Sequence, residues 1–486
     1  MNRHLVSLIP LLLPVLVIAV VVVGGGGCMV GPDFETPDRP MPRGWVGPST
    51  QPATRASVTT DAATDVATWW ENFNDPVLDS LVDRAIGQNY DLAIAASRLR
   101  QARAARTIAS AQLWPQVDSS ASYDRAGTLG GGSSSLFRAG LDAAWELDIF
   151  GGVRRSVEAA NADITSARED VRDVLVTLTS EVALNYLDLR GFQRQIVIAR
   201  QNLGTQEGTA DLVRRRREAG FIRQLDLTSA EAQVAATRSQ IPRLEQSERQ
   251  TIYNIALLLG VEPAVLVNEL EQDAPIPVVP ADVPIGLPSD LLRRRPDIRR
   301  AEANLHGATA RVGVATADLF PRFSLTGAIG VAGTSLKSLG NVNNAPWSIG
   351  PSVSWPVFTA GSIRANIAVQ TESQEQAAMF YEQSVLTALR DVESSLVAYA
   401  REQQRRVSLR EAVDLNRERV QIAQKLYVGG ETDSLNVLDA QRSLFAAEDA
   451  LVQSDTTVAT NLVSLYKALG GGWEAVAPEQ AATTRP

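Results

Sequence analysis

The sequence predicts a mainly α fold with a small β part, in which long coiled-coil helical hairpins form a tandem duplication and carry four β-strands. The duplication is visible in "AGFIRQLDLTSAEAQ" at residues 219–233, which has a near twin in "GGETDSLNVLDAQ" at residues 429–441. The strands are indicated at residues 141–149 and 347–357, where apolar and polar side chains alternate. Both patterns occur twice, so each repeat is expected to contain the same elements.

Composition limits the possible functions. The chain has 486 residues, 45% of them hydrophobic and 21% charged, which is ordinary for a folded protein. Its net charge of -9 argues against a nucleic-acid partner. His4, His306 and Cys28 are the only histidines and cysteine, so one chain has neither a disulfide nor a His/Cys metal site. An enzyme is therefore disfavoured, although a pair of catalytic carboxylates stays possible.

The amino terminus reads as an export signal. A basic start is followed by an apolar run from Leu5 to Val23 and by small residues up to Cys28. The run is long enough to span a bilayer, so an uncleaved anchor is the alternative. The cysteine after small residues resembles a bacterial lipoprotein signal, with Gly25 where leucine is usual. That resemblance implies removal of residues 1–27 and a covalent lipid on Cys28, and Met29 after it permits transfer to the outer membrane. No metal and no other cofactor are expected, because the sequence has no His/Cys ligand set and no phosphate loop.

The first elements follow from composition and period. Residues 31–66 are rich in Pro, Thr and Ala without an apolar period, which predicts an extended leader on the surface. A helical pattern runs from about Asp75 to Leu113. Weaker strand patterns at residues 116–125 and 322–330 precede the two clear strands, which predicts two β-hairpins.

A very long helix is predicted after each β-hairpin. These helices cover about Val153 to Ala219 and about Ile363 to Val428. In the first, apolar residues spaced alternately three and four apart predict a coiled-coil seam: Val157, Ala160, Ile164, Ala167, Val171, Val174 and Leu178. The second has a similar seam: Val385, Leu389, Val392, Leu396 and Tyr399. Each helix ends at glycine and is followed by a return helix of roughly 38 residues.

The two repeats align without gaps over long stretches. A shift of 210 residues pairs Gly220 with Gly430 and Leu225 with Leu435, and a shift of 206 pairs the earlier helices. The predicted segments are a signal (1–27), an acylated leader (28–74), a first repeat (75–260), a proline-rich crossover (261–288), a second repeat (289–470) and a flexible tail (471–486). The arginine run at 214–217 is interpreted as cations at a helix carboxyl end, where the helix dipole favours them.

Strands with one apolar and one polar face suit either a soluble sandwich or a membrane barrel. The lipoprotein-like signal, Trp347 and Trp355 near the two ends of one strand, and the length of the helices favour the barrel. Four strands cannot close a barrel, and an open edge cannot face lipid, so the chain is expected to oligomerise. Two copies supply eight strands with a filled interior, whereas three copies supply twelve and leave a hole.

Seven stretches together resemble one known family. They are "CMVGPDFETP" from 28, "WWENFNDPVLDSLVDRAIGQNYDLAIAASRLRQARA" from 69, "WELDIFGGVRRSVEAA" from 145, "LLRRRPDIRRAEANL" from 291, "ATADLFPRFSLTG" from 315, "SWPVFTAGSIRANI" from 354 and "VGGETDSLNVLDAQRSLFAAEDAL" from 428. They resemble the TolC-like outer membrane efflux ducts, in their lipoprotein branch of OprM/NodT type. These are the outer membrane components of resistance-nodulation-division efflux systems.

The resemblance implies a homotrimer, with a twelve-stranded β-barrel in the outer membrane continuous with an α-helical barrel that crosses the periplasm. It also implies two partners, a periplasmic adaptor and an inner-membrane efflux transporter, which dock at the hairpin tips around Gly220, Gly429 and Gly430. Because the chain has no phosphate-binding loop, transport is expected to be passive, with the transporter supplying the energy.

The tips are also where such ducts close. In the family, acidic residues after the second tip ring the constriction, and Asp439 matches one of these positions while Asn436 occupies the other. Asp226, the repeat mate of Asn436, is a candidate for the missing carboxylate. The alternative is that Asp226 and Asp439 are solvated carboxylates in an early helical turn. Leu225 and Leu435 are expected to pack in a seam, with an apolar gate as the alternative.

Two other functions stay in view. A periplasmic adaptor, or another coiled-coil lipoprotein with a structural role, also combines an acylated cysteine with a helical hairpin. Such an adaptor has one hairpin flanked by small β domains, which the duplication disfavours. An enzyme is weaker still, because no activated nucleophile or ligand set is visible in the sequence.

Overall fold

The computed structural model describes residues 29–46, 58–60, 66–279, 282–284, 288–340 and 345–474. Its helices are α1 (Pro76–Gln88), α2 (Tyr90–Ala111), α3 (Gly152–Glu218), α4 (Gln224–Leu258), α5 (Pro263–Leu270), α6 (Leu291–Arg294), α7 (Pro296–Ala317), α8 (Ser362–Gly429) and α9 (Ser434–Ala468). Its strands are β1 (Val58–Thr60), β2 (Gln116–Gly127), β3 (Ser133–Leu147), β4 (Asp282–Pro284), β5 (Arg322–Gly333) and β6 (Trp347–Ser354). Short 3₁₀ turns occupy Trp69–Phe73, Pro288–Asp290 and Leu336–Gly340.

The chain divides into two compact units, each of which draws on both repeats. The first unit comprises Met1–Asp38, Leu99–Ala167 and Arg300–Glu382. The second unit comprises Arg39–Arg98, Arg168–Arg299 and Gln383–Pro486. Predictions for residues 1–28, including the signal and the lipid on Cys28, and for the tail beyond residue 474 lie outside the described residues.

The first unit contains one four-stranded antiparallel sheet with the order β2-β3-β5-β6. The two hairpins predicted from sequence are therefore joined, because β3 of the first repeat pairs with β5 of the second. Strands β2 and β6 are the two edges of the sheet within the chain. The sheet is thus an arc rather than a closed surface.

The strand register gives this sheet one apolar and one polar face. Leu141 lies opposite Ile329 and Trp145 opposite Leu325, and Ile329 in turn lies opposite Trp347. The alternate positions are polar or small, as in the pairs of Glu146 with Ser324 and Ser324 with Ser352. The period-two prediction is therefore confirmed across four strands.

Five strand ends differ from the predicted ranges, most of all the start of β3. Strand β3 begins at Ser133 rather than near 141, because serine and glycine at its start hide the alternation. Strand β6 ends at Ser354 rather than at 357, just before Trp355 and Pro356. Residues 355–357 leave the sheet, and the N–H of Val357 donates instead to the carbonyl of Trp355 at 2.9 Å.

The two repeats fix their strands to the preceding helices by the same contact. The indole Nε1 of Trp145 donates a hydrogen bond of 3.0 Å to the carbonyl of Leu113, and the indole Nε1 of Trp355 donates one of 3.0 Å to Leu319. The two pairs are equivalent in the two repeats, because the shift of 210 relates Trp145 to Trp355 and the shift of 206 relates Leu113 to Leu319. Trp355 therefore serves as a hydrogen-bond donor just after β6 and not as a residue within the strand.

The second unit is built on the long helices. Of the seam predicted for α8, four members are buried: Val385, Val392, Leu396 and Tyr399. Of the seam predicted for α3, Val171 and Leu178 are buried while the others are half-buried. The boundaries of α3 and α8 lie within one residue of those predicted, and the return helices α4 and α9 have 35 residues each instead of 38.

Two helical features were missed. The pattern from Asp75 to Leu113 is two helices, because Asn89 interrupts it, with its side chain accepting from the N–H of Leu92 at 2.9 Å and donating to the carbonyl of Leu258 at 2.9 Å. The crossover contains helix α5, and its strand β4 pairs in parallel with β1 of the leader. Among the described residues, no helix has both the length and the apolar character needed to cross a bilayer.

Candidate functional site at the hairpin tips

The two tips share one backbone geometry. Gly220 and Gly430 adopt φ values of +81° and +80°, a region that favours glycine. The N–H of Gly220 donates to the carbonyl of Arg217 at 2.9 Å, and that of Gly430 donates to Tyr427 at 3.1 Å. Gly429 is still part of α8, so only the second glycine of the "GG" pair makes the turn. The twin sequences thus encode the same helix end twice.

Each return helix begins with one capping carboxylate, but at different positions. At α4 the carboxylate of Asp226 accepts from the N–H of Arg223 at 3.1 Å. At α9 the carboxylate of Asp433 accepts from the N–H of Asn436 at 3.2 Å. Under the shift of 210, Asp226 corresponds to Asn436 and Arg223 to Asp433. The amide of Asn436 instead donates to Thr432 Oγ1 at 2.7 Å.

Asp226 also connects the two hairpins. Its second carboxylate oxygen accepts a hydrogen bond of 3.2 Å from the hydroxyl of Ser434, a buried residue at the start of α9. Asp226 is therefore an early-turn carboxylate that caps its own helix and binds the neighbouring hairpin. Because both of its carboxylate oxygens accept hydrogen bonds, Asp226 is not a freely solvated charge.

The side chain of Arg216 makes a second connection between the two tips. Arg216 donates to the carbonyls of Tyr427 at 2.8 Å and Val428 at 3.1 Å, and its guanidinium lies 4.3 Å from the ring centroid of Tyr427. These carbonyls belong to the last turn of α8, where a cation is favoured by the helix dipole. The arginine run does lie at the carboxyl end of α3, as interpreted from the sequence, and Arg216 in addition serves the carboxyl end of α8.

A shared apolar cluster lies beneath these polar contacts. Its buried members come from all four hairpin helices: Ala210, Val213, Leu227, Ala230, Val234, Tyr427, Val437 and Leu438. The Tyr427 hydroxyl within it has no hydrogen-bond partner among the described residues. The tips are thus packed as one body, with Arg216 and Asp226 at its polar edge.

Asp439 is paired with two arginines of its own hairpin. Its carboxylate lies 2.6 Å from Arg419 Nη2 and 2.5 Å from Arg442 Nη2. The hydrogen bond from Arg419, followed by that from Arg442, holds the pKa of Asp439 below its ordinary value of 3.8, although partial loss of water acts in the opposite direction. The carboxylate therefore stays ionised at neutral pH, with its charge compensated locally.

The two tip leucines are not packed in a seam within the chain. Leu225 is 65% exposed and Leu435 is 45% exposed. Neither leucine belongs to the buried tip cluster of the single chain, and their packing in the assembled protein stays a prediction. Exposed apolar side chains at a tip are available to contact another molecule or another copy.

The sequence also did not reveal a polar contact between α3 and α9. Gln441 Nε2 donates to Thr209 Oγ1 at 2.8 Å, and Asn202 Nδ2 donates to Glu448 Oε2 at 3.1 Å. Gln206 is buried there, and neither of its amide atoms has a partner among the described residues. Such unsatisfied groups weaken an interface relative to an apolar one. The sequence signal for this contact was Gln206, which lies four residues after Asn202 and three residues before Thr209, as in a helix seam.

Among the described residues, no group of three or more His, Cys, Asp and Glu is arranged to hold a metal ion. His306 is half-buried on α7. Its ring stacks on Phe34 of the leader at 4.4 Å between centroids, and its Nε2 lies 3.1 Å from Glu158 Oε1. Nearby, the buried Arg155 binds the leader carboxylate of Asp33 at 2.6 Å. These contacts attach the leader to the first unit.

Comparison with known proteins identifies the family. The family model described as "Outer membrane efflux protein" matches residues 81–261 and 287–471, one range in each repeat. The chain is 32% identical over 457 residues to "Nodulation protein T" of Rhizobium leguminosarum bv. trifolii, covering 93% of this chain and 96% of the relative. It is 34% identical over 458 residues to "Toluene efflux pump outer membrane protein TtgC" of Pseudomonas putida, covering 92% and 93%.

Solved structures agree with this result. The outer-membrane channel OprN matches with a TM-score of 0.85 and 38% identity, covering 92% of this chain and 100% of that chain. The MtrE outer membrane channel of Neisseria gonorrhoeae in its open state matches with a TM-score of 0.79 and 29% identity, covering 92% and 99%. Because the matches extend over both repeats and nearly the full length of the relatives, this chain belongs to the outer membrane efflux protein family.

Proposed function

We propose that three copies of this chain form a passive exit duct that receives substrates from a periplasmic adaptor and an inner-membrane transporter. Membership of the family establishes that this chain is an outer membrane efflux channel. The members of the family are channels and not enzymes. The adaptor alternative is not supported, since relatives aligned over 92% or more of this chain are outer membrane proteins of efflux pumps. Family membership alone does not establish the trimer, its partners or its aperture. These are proposed from the features described below.

The open sheet is the observation that carries the proposal. Strands β2 and β6 leave two unpaired edges in the chain, and one face of the sheet is apolar from edge to edge. An unpaired strand edge is unstable against lipid, so the edges require partners. Pairing β6 of one copy with β2 of the next closes a barrel of twelve strands when three copies join.

An exposed apolar stripe on α8 supports the same assembly. Its members within the second unit are Leu386, Val397, Leu415, Ile422 and Leu426, which are 38% to 59% exposed. At 3.6 residues per turn these positions fall within a sector of about 40° on the helix. Three of them line a groove of about 450 Å³ beside Arg419. A stripe of this length is typical of a coiled-coil contact with another helix.

We further propose that the hairpin tips form the aperture. Asp439 would supply charge near the constriction, together with Arg419 and Arg442, which compensate it. Leu225 and Leu435 are exposed and form the apolar part, while Asn436 replaces a carboxylate with an amide. Asp226 and Arg216 hold the hairpins together and thereby keep the aperture closed.

The tips are also the proposed docking surface for the adaptor. The turns at Gly220, Gly429 and Gly430 are exposed, and so is the large apolar side chain of Phe221. Exposed aromatic residues are common in protein interfaces. No nucleic-acid partner is proposed, because the chain is acidic overall.

The lipid on Cys28 is proposed as a second attachment to the outer membrane. The residues that follow it are held by the first unit, where the N–H of Val30 donates to the carbonyl of Phe150 at 3.2 Å. Arg155 also donates to the carbonyl of Val30 at 3.2 Å. The acyl chains would therefore start close to a firmly bound segment. Their total affinity for the bilayer grows by about 0.8 kcal/mol per buried methylene.

Conductance of the purified protein in planar bilayers tests the function. Wild type is expected to show a small conductance, and Asp226→Asn/Asp439→Asn a larger one, because loss of both carboxylates loosens the tips. Mass determination of the detergent-solubilised protein is expected to give three chains. A strictly monomeric protein, or the absence of conductance from both proteins, contradicts the proposal.

A further inference from the structure

A second site lies in the second unit, away from the tip contacts. A cavity of about 910 Å³ is enclosed by crossover residues 273–279 and by side chains of α3, α8 and α9. The start of this crossover segment is anchored, because Arg190 donates to the carbonyl of Gln272 at 2.7 Å and Gln193 donates to that of Leu270 at 2.7 Å. A volume of this size is within the range of small-molecule pockets.

The cavity contains more positive charge than its own carboxylates balance. Arg417 is already used, since it lies 3.0 Å from Glu448. Arg406 lies 3.8 Å from Asp455, whereas Arg194 and Arg410 have no ion-pair partner among the described residues. With Asp273 included, four arginines and three carboxylates line the cavity, which leaves one positive charge uncompensated.

The environment of Asp455 supports this arrangement. Burial raises the pKa of Asp455, and the charges of Arg406, Arg410 and Arg194 act against that rise. All three arginines are thus close enough to interact with a single half-buried carboxylate. An excess of cations in a partly buried site is stabilised by binding an anion.

The remaining wall of the cavity is apolar. Ile198, Val413 and Val452 are less than 9% exposed and form its floor. Ile276 contributes from the crossover side. The arginines of α8 lie about 180° around the helix from the apolar stripe, so the proposed trimer contact leaves the cavity open. The ligand must therefore combine a charged group with an apolar body.

We propose that this cavity binds a small amphipathic oxyanion, with its phosphate group held by Arg194, Arg406 and Arg410 and its apolar part against Ile198, Val413 and Ile276. Arginine suits this role because its planar guanidinium donates two parallel hydrogen bonds to phosphate. The bound anion joins α3 and α8 to the crossover, which the protein otherwise anchors through Arg190 and Gln193.

Calorimetric titration of the full-length protein with hexyl phosphate, in a non-ionic detergent, tests the proposal. Binding is expected at one site per chain, with a Kd at least tenfold weaker in Arg194→Gln/Arg410→Gln. Arg243→Gln, which removes an exposed arginine of α4, is expected to bind like wild type. Both substituted positions are exposed, so folding is expected to persist and is checked by circular dichroism.

Further probes define the ligand class. Hexanol and inorganic phosphate each lack one half of the proposed chemistry and are expected to bind at least tenfold more weakly than hexyl phosphate. Tighter binding of dihexanoyl phosphatidic acid indicates a lipid headgroup, and tighter binding of hexyl phosphate indicates a free phosphate ester. The proposal is overturned if wild type does not bind, if the double variant binds equally well, or if hexanol binds as tightly.

Discussion

A few single side chains connect the two repeats at the tips. Arg216 spans from the end of α3 to the last carbonyls of α8, and Asp226 reaches Ser434 of α9. The proposed closed aperture therefore depends on polar contacts at its edge as well as on the apolar cluster beneath. Polar contacts of this kind break and re-form more readily than a packed core, which suits a gate.

Arg216→Ala is expected to open the aperture. The substitution removes two charge-assisted hydrogen bonds and the contact with Tyr427, which together contribute about 2 kcal/mol to the closed tip. Bilayer recordings are expected to show a higher conductance than wild type. Arg215→Ala is the matched control, because within the described part of the chain the Arg215 side chain donates only to the carbonyl of Asp211 in its own helix. Equal conductance in the two variants contradicts the role of Arg216.

Asp439→Asn is expected to shift ion selectivity towards anions. The change leaves the positive charges of Arg419 and Arg442 without their carboxylate. Reversal potentials in a potassium chloride gradient report the shift. Asp433→Asn is the control, since Asp433 caps α9 and Asn also caps helices well. No change in reversal potential for Asp439→Asn would show that the residue lies away from the ion path.

The same carboxylate predicts a pH dependence with a definite sign. The pKa of Asp439 is lowered below 3.8 in the folded protein, so its ion pairs are complete above pH 3.8. They are lost only as the pH falls through the lowered pKa. Selectivity of wild type is therefore expected to be constant from pH 7 to about pH 4 and to shift towards anions at lower pH. A change centred near neutral pH contradicts this assignment.

At the scale of elements, the tip turns depend on backbone conformation alone. An added Cβ at Gly220 or Gly430 meets no atom within 4 Å, yet both residues have positive φ. Gly220→Ala and Gly430→Ala are each expected to lower the free energy of unfolding by about 1 kcal/mol. Gly429→Ala is the matched control, because Gly429 lies within α8 and alanine favours a helix. Urea denaturation measures all three, and equal effects would contradict the argument.

Sequence predicted the long elements well because their signals are long or sharp. The ends of α3 and α8 are marked by glycine, and the alternation in β3 persists over many residues. The break at Asn89 was missed since its two side-chain hydrogen bonds involve Leu92 and a distant carbonyl of α4. Helix α5 was missed inside a proline-rich segment, although Pro263 at its start is itself a helix signal.

The site was predicted less completely than the fold. The duplication located the two tips and indicated Asp226 as the repeat mate of Asn436, whereas the family resemblance indicated Asp439. Their partners could not, because the contacts of Asp226 with Ser434 and of Arg216 with Tyr427 join residues about 210 positions apart. The exposure of Leu225 and Leu435 likewise depends on how the hairpins pack.

At the scale of the whole molecule, the stripe on α8 makes the proposed trimer testable. Leu415→Glu/Ile422→Glu places two charges in that stripe and is expected to shift the protein to monomers, since each buried unpaired carboxylate costs several kcal/mol. Light scattering coupled to size-exclusion chromatography measures the mass. Leu257→Glu, at an exposed position of α4, is the control and is expected to remain trimeric. A trimeric double variant would contradict the role of the stripe.

The order of strands in the sheet gives such a ring two kinds of junction. Within a chain, β3 and β5 pair over eleven positions, from Phe137 with Gly333 to Leu147 with Phe323. Between chains, β6 has only 8 residues to offer to β2. Because β6 also pairs with β5 over only 8 positions, each chain would contribute two long pairings, β2-β3 and β3-β5, followed by short pairings on both sides of β6. Under a pulling force such a ring would therefore separate beside β6, at three places around its circumference, while β2, β3 and β5 of each chain stay paired.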